Sequence, residues 1–480
     1  MKDFKKIPEK VKGIVDRVIA TLVYSTDKSL IYKEPEKNFT RTRKLPILEL
    51  VYLLLSRGAQ SLSKCLCDEF DPGNQRASKS ALVQQQAKFK VEFFEQFFRK
   101  LQTELSHVVL FKKKYRLLAV DGSSFSVPCK CKECYNSTQK PHGRKGKALY
   151  TIHLHSFYDV LTRMFEDVII ETGSKVNEQA AFVKMAERLD KKNPVIFTAD
   201  RAYACYNLIA HLALCGFYYV IRVKDLQSGT SLVKYWWKLF NGPEKKPGEV
   251  SVHVKFTRVG GSKVRKDKSF KILPPNMNFD LLPDDNPFGN DIAPEDIPAE
   301  YYHELSFRLV RVRINKKGAE GKEEFETLIT NLPVDTFPPR VLKTIYHLRW
   351  GIELGYRELK YDEKAIFFHS QKKECILEEL YISLAVHNIV SYICSFSGNK
   401  MIAIKKESLK EKDKNKKYSY AINRSKAASI IHRYLSLRCH WSSEHIVEEL
   451  ARELEAIRDE RKFDRKLVPK GVIPFAYRSA

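Results

Sequence analysis

Tyr346, Arg349, Glu353 and Lys360 follow one another at intervals of 3, 4 and 7 residues. On a helix turning roughly 100° per residue, those intervals put all four within about 60° of one another. One stripe then carries a phenol, a guanidinium, a carboxylate and an ammonium, where a core-facing stripe would carry Leu, Ile and Val. A carboxylate flanked by cations on one face can hold a metal ion against a nucleic-acid phosphate. The plainer reading of the same spacing is a solvated charged face with a salt bridge or two.

Two further acids stand where apolar runs stop. Residues 115–120 end at Asp121-Gly122-Ser123, and residues 194–199 end at Asp200. Each run reads as a buried strand with a carboxylate at its C-terminal tip. Taken singly, Asp121 is an ordinary turn residue before glycine and Asp200 an ordinary helix N-cap. Together with Glu353 they are three acids from three elements. Such oxygen donors suit divalent ions, and a pair of ions about 4 Å apart can drive phosphodiester cleavage.

The elements around these acids are legible in outline. Runs at 149–158 and 164–171 predict two strands, and Asn177 caps a helix reaching residue 189. The strand ending at Asp200 follows, then a helix that Gly216 terminates, then a strand at 217–223. Three strands, helix, strand, helix, strand is the order of a ribonuclease H-like fold. Residues 225–325 interrupt it with strands at 249–258, 268–273 and 305–314 and a Pro/Asp/Asn-rich stretch at 274–298. A strand at 327–332 resumes the core, Pro338-Pro339 opens the helix of the stripe, and 374–395 is a strongly apolar helix.

The ends read as mainly helical. At the N-terminal end, 47–55 is an apolar helix, and Ser78 caps a Gln- and Phe-rich segment at 79–99 that suits either a helix-turn-helix reader or a plain bundle. Towards the C-terminus, the lysines between Lys400 and Lys417 form a charged linker before amphipathic helices at 421–437 and 443–461. The expected fold is therefore α/β: a ribonuclease H-like catalytic core at 111–224 and 326–398, a β-rich insertion at 225–325, a helical DNA-binding region at 1–110 and a basic linker with helices at 399–480.

Charge names the partner class. Across 480 residues, 84 Lys and Arg against 58 Asp and Glu leave a net charge of +26, which points to a polyanion, nucleic acid being the commonest. No run approaches 18 apolar residues, and the first residues lack the apolar segment of a secretory leader, so a soluble intracellular protein without a membrane partner is expected. Ten cysteines are too sparse for a disulfide scaffold. Cys205, Cys215, Cys375 and Cys394 read as small buried side chains. The cluster Cys129, Cys131 and Cys134, with His142 nearby, reads as a reduced Lys-rich loop or, less simply, a zinc knuckle.

These motifs carry a family resemblance. The chain resembles DDE transposases of bacterial insertion sequences, in the insertion-sequence-four group, whose Tyr-x2-Arg-x3-Glu-x6-Lys signature is matched by Tyr346, Arg349, Glu353 and Lys360. The contexts Val120-Asp121-Gly122-Ser123 and Ala199-Asp200-Arg201-Ala202-Tyr203 resemble the group's other two motifs, with Ala202 where members often have Gly. The resemblance covers about residues 110–400. It implies cut-and-paste transposition: a nick, a hairpin and strand transfer. It further implies that Asp121, Asp200 and Glu353 hold Mg²⁺ (or Mn²⁺), and that Tyr346, Arg349 and Lys360 grip the phosphate beside a flipped base. Trp236 or Trp237 is the candidate wedge for that flip. The implied partners are double-stranded DNA with terminal inverted repeats, target DNA and a second copy of the chain in a homodimeric synaptic complex, in the bacterial cytoplasm at the nucleoid. A structure-specific nuclease, or a DNA-binding relative without catalysis, is the alternative.

Overall fold

The computed structural model describes residues 4–457 apart from 42–43, 71–76, 106–108, 129–130, 137–148, 174–175, 225–230, 235, 237–247, 315–323 and 408–418. Six helices come first: α1 (Ile7–Ser25), α2 (Lys28–Ile31), α3 (Ile47–Ser56), α4 (Leu62–Glu69), α5 (Lys79–Gln86) and α6 (Val91–Leu105). The segment expected as one helix from residue 79 is thus two. Ser78 caps α5 by accepting from Ala81 N at 3.1 Å, and the chain turns at Ala87 before α6 begins. Phe93, Phe94, Phe97 and Phe98 of α6 are all buried, a period that commits this helix to the protein core.

The middle of the chain builds one mixed sheet. Its first strands are β1 (Arg116–Ser126), β2 (Tyr135–Asn136), β3 (Leu149–Asp159) and β4 (Met164–Thr172), followed by α7 (Glu178–Glu187), β5 (Val195–Ala199), α8 (Tyr206–Leu214) and β6 (Tyr218–Val223). The expected order of three long strands, helix, strand, helix, strand is present. Next come β7 (Gly248–Thr257), α9 (Ser262–Lys266), β8 (Phe270–Ile272), β9 (Tyr302–Ile314) and β10 (Glu324–Thr330). Among the described residues ten strands join, in the order β2-β3-β1-β5-β6-β10-β9-β7-β8, with β4 on β3. β1, β5 and β6 run parallel, while β3 and β10 flank them antiparallel. The strands expected of an insertion extend the same sheet, because β9 pairs β10 on one side and β7 on the other.

Alternation along β1 divides the two faces. Leu118 and Val120 meet Phe157, Phe182 and Phe197 under α7 and α8, and this core continues over Phe256, Phe279 and Phe307 in the added strands. Phe279 anchors the long 274–298 stretch by packing on Phe256 at 5.8 Å between ring centres. The opposite face carries α10 (Pro339–Leu348), α11 (Trp350–Tyr361) and α12 (Lys373–Glu407). Lys373–Gly398 is long and apolar enough to cross a membrane, but 83% of its most apolar window is buried here, as a core helix among α1, α6 and the C-terminal helices.

The C-terminal segments are β11 (Ser419–Ile422), α13 (Arg424–Tyr434), α14 (Ser443–Arg452) and β12 (Leu454–Ile457). The ends expected to be helical instead form a two-stranded antiparallel ribbon of β11 and β12. The lysine-rich linker lies largely outside the described residues. Cys375 and Cys394 are buried as expected, whereas Cys205 and Cys215 are only partly so.

Candidate active site

The register of β1 and β5 brings two acids together. Their last parallel pair is Val120 with Ala199, so Asp121 and Asp200 are the next residue on each strand. At that point the two chains part. Asp200 leaves the sheet and caps a short turn, its Oδ1 accepting from Ala202 N at 2.7 Å. Asp121 does not end its strand: β1 continues to Ser126, pairing with β3 alone, with Asp121 opposite Ser156. The expected tip is thus a place where one neighbour stops and the other does not. It leaves the carboxyl at an open notch of the sheet. Asp121 Oδ1 accepts from Gly122 N at 2.9 Å. Burial, with Asp200 and Glu178 nearby, pushes its carboxyl up to about 6 against the pull of the Gly122 N–H and Arg349.

Glu353 comes from the helices on that face. The stripe expected on one helix is divided between α10 and α11, with Arg349 at the junction. There the backbone tightens: Arg349 N donates to Tyr346 O and Ile352 N to Arg349 O, both at 3.1 Å and both reaching back three residues instead of four. Tyr346 is buried on the sheet with Leu117, Ile196 and Val220. Arg349 is only 6% exposed, and its Nη2 donates to Glu353 Oε1 at 2.8 Å. Its guanidinium also lies over Tyr346 and Trp350, 5.8 and 5.4 Å from the ring centres.

The rest of α11 is fastened to β1 beside Asp121. Tyr356 donates its hydroxyl to Asp121 O at 2.7 Å and lies 2.6 Å from Ser156 Oγ. Lys360 Nζ donates to Ser123 Oγ at 2.8 Å and to Ser124 O at 2.9 Å, and sits 4.7 Å over the Phe125 ring. Burial lowers the Lys360 pKa against the pull of Asp121. Such a close approach needs Gly355, where a Cβ would stand 2.6 Å from the Tyr158 ring. The stripe is therefore no solvated face: Tyr346 and Arg349 are buried, and Lys360 is held against β1 beside Asp121.

Two residues of this neighbourhood escaped the sequence reading. Glu178, at the first turn of α7, faces His153 of β3, with Oε1 and Nε2 3.2 Å apart. His153 and His155 alternate on a strand, a spacing that puts both on one face and was the available signal. For Glu178 there was none, since an acid in a first helical turn is ordinary. Among the described residues, no three His, Cys, Asp or Glu side chains stand close enough to hold one metal ion. The Arg349 ion pair engages Glu353 instead.

Other candidates lie apart. Trp236 donates to Tyr206 Oη at 3.1 Å and packs against Phe307, while Trp237 lies outside the described residues. Cys131 and Cys134 are buried with sulfurs 2.6 Å apart, and Cys129 and His142 lie outside the described residues.

Residues 112–389, more than half of the chain, match the family of the transposase DDE domain. No curated protein matches the chain. Among solved structures, the cryo-EM structure of a piggyBac transposase synaptic complex with hairpin DNA is similar over 96% of this chain and 86% of that one, at 10% identity and a TM-score of 0.44.

Proposed function

The chain belongs to the DDE transposase family, and we propose that it cuts and rejoins DNA at the notch where Asp121 and Asp200 leave their shared register. That register is the observation that carries the reading: two acids distant in sequence become neighbours at the C-terminal end of parallel strands, with Arg349, Glu353 and Lys360 arriving from the covering helices.

The donors suit a hard divalent cation. Asp121 and Asp200 offer oxygen only, and the Asp121 carboxyl is raised chiefly by its burial, with Asp200 and Glu178 adding to the rise. Asp121, Asp200 and Glu353 would hold Mg²⁺, or Mn²⁺ in its place, with Glu353 joining when its pair with Arg349 opens. Divalent ions there supply activation of the attacking oxygen and charge against the leaving one. The protein's own part is to bind and orient. Arg349 has a planar fork matched to a phosphate, Lys360 is a point charge close to β1, and Tyr346 backs Arg349.

At finer grain, the matched signature supports the insertion-sequence-four group and its cut-and-paste order of nick, hairpin and strand transfer. The same reading assigns a ribonuclease H-like core at 111–224 and 326–398, a β-rich insertion at 225–325, a helical DNA-binding region at 1–110, and a basic linker with helices at 399–480. Its substrates are duplex ends with terminal inverted repeats and a target duplex, bound by a homodimer at the bacterial nucleoid. The net charge of +26 supports a DNA partner. Incubating the protein with Mg²⁺ and an element-end duplex should yield nicked, hairpin and strand-transfer products. Nicking without hairpins or joining would instead make it a structure-specific nuclease.

A further inference from the structure

A polar cleft of about 980 Å³ opens where three distant parts of the chain meet: residues 56–69, the segment that follows α11, and residues 429–441. Hydrogen bonds weld its walls. Glu69, 7% exposed, accepts from Ser56 Oγ at 2.9 Å, Ser436 Oγ at 3.0 Å and Leu437 N at 2.9 Å. His432 Nδ1 lies 2.9 Å from Leu55 O, and His369 Nε2 lies 2.7 Å from Gln60 O. The cleft is therefore a fixed part of the fold.

Its charges are unequal. Glu69 is spent on those hydrogen bonds, and Arg57 on the buried Glu379, 3.4 Å away. What remains is Lys64 on α4, Lys364 just past α11, Arg433 on α13 and Arg438 beyond it, against the carboxylates of Asp68 and Asp362. Lys64, Lys364 and Arg433 are exposed, and among the described residues none of the three has a carboxylate partner. Arg433 lies 4.3 Å over the Trp441 ring centre, a stacking that orients the planar guanidinium without using its N–H donors. The cleft also adjoins the site already described. Asp362 follows Glu353 by nine residues, roughly 14 Å of helix, on the order of four base-pair steps of a duplex. We propose that this cleft grips the phosphate backbone of the duplex cut at the notch, with Lys64, Lys364 and Arg433 as its phosphate contacts. Cations from the N-terminal helices, the Glu353 helix and the C-terminal helices then close on one DNA backbone. The inference rests on the DNA reading given above.

Salt titrations of the full chain binding an end duplex, followed by fluorescence anisotropy, test this apart from cleavage. Lys64→Gln, Lys364→Gln and Arg433→Gln together should weaken binding by about tenfold or more. They should also flatten the slope of log Kd against log salt by about two or more, since each lost phosphate contact removes about 0.9. Lys263→Gln, Arg265→Gln and Lys266→Gln on α9 remove the same charge from exposed cations that also lack carboxylate partners among the described residues. That second variant should keep the wild-type slope. Equal slopes in the two triple variants overturn the proposal, because net charge alone would then explain any loss. Wild-type affinity and slope in the cleft variant overturn it too and leave the DNA reading standing. Unchanged DNA binding with self-association lost in sedimentation makes the cleft a contact between copies, which also overturns it. If the wild-type protein binds DNA without salt dependence, the DNA reading falls and the proposal with it. Should circular dichroism find the cleft variant unfolded, Lys64→Glu at its exposed position takes its place, and wild-type affinity there is the overturning result.

Discussion

Arg349 Nη2 stands 2.8 Å from Glu353 Oε1, so two residues of the motif neutralise each other. Arg349 is nearly buried, while Glu353 keeps 39% of its side chain exposed. A phosphate arriving at Arg349 would compete with the carboxylate for the same fork, and Glu353 would be freed as the phosphate is gripped. On the proposed reading, the pair would couple the arrival of substrate to completion of the acidic site.

The fork should matter more than the charge. Arg349→Lys keeps the charge but loses the second parallel hydrogen bond, and should slow hairpin formation by roughly tenfold or more, with a smaller effect on the first nick. Arg357, exposed on the same helix, is the comparison, and Arg357→Lys should stay within about twofold. Separate rates for the two steps check this. Equal, negligible effects at both positions would remove the phosphate-gripping role.

Chemistry and DNA affinity should separate. Asp121→Asn should abolish nicking while leaving affinity for the end duplex largely intact, because binding draws on the excess of Lys and Arg over Asp and Glu. Raising salt from about 50 to 200 mM should weaken binding steeply in both proteins. A salt-insensitive affinity, measured by fluorescence anisotropy, would contradict the polyanion argument.

Stability should carry a pH signature from Glu378, buried on α12. Burial pushes its carboxyl from 4.5 up to about 7, despite Gln86 Nε2 donating to Oε2 at 2.8 Å; Oε1 has no hydrogen-bond partner among the described residues. The folded state therefore holds this proton more tightly than the unfolded chain. Its contribution is fully present below pH 4.5 and is lost as pH rises through about 7. Glu378→Gln keeps a neutral acceptor, so its advantage over wild type should grow across that window to about 3 kcal/mol. Urea unfolding at pH 4.5 and pH 8 measures it, and a constant difference would be the contrary result.

The C-terminal helices should stabilise the helix that carries Glu353. Arg424, at the start of α13, donates Nε to Glu358 Oε2 at 3.2 Å and Nη2 to Ser391 Oγ at 2.7 Å. Glu358 lies on α11 and also pairs with Arg163. Arg424→Met removes one partner of a buried ion pair and should cost about 3 kcal/mol. Arg424→Lys, which retains the charge, should cost less. Unchanged denaturant midpoints for Arg424→Met would make this ion pair incidental.

Much of the architecture is local information. Apolar runs read directly as β5 and β6, the caps at Ser78 and Asn177 start helices where expected, and the intervals among Tyr346, Arg349, Glu353 and Lys360 put those residues on one side of the α10–α11 pair. Each is set by residues within a few positions of one another, so pattern alone suffices.

What only tertiary structure decided involves partners distant in sequence. β1 runs five residues past Asp121 because β3 goes on pairing with it after β5 has stopped. β11 and β12 exist because they meet each other, although each looks like the end of a helix when read alone. The contact of Glu178 with His153 and the reach of Lys360 to Ser123 depend on how α7 and α11 pack on opposite faces of one sheet. A one-residue slip in the β1–β5 register would take Asp121 away from Asp200 without changing either motif. Register is fixed by which face of each strand must be buried, and that depends on the helices that cover it.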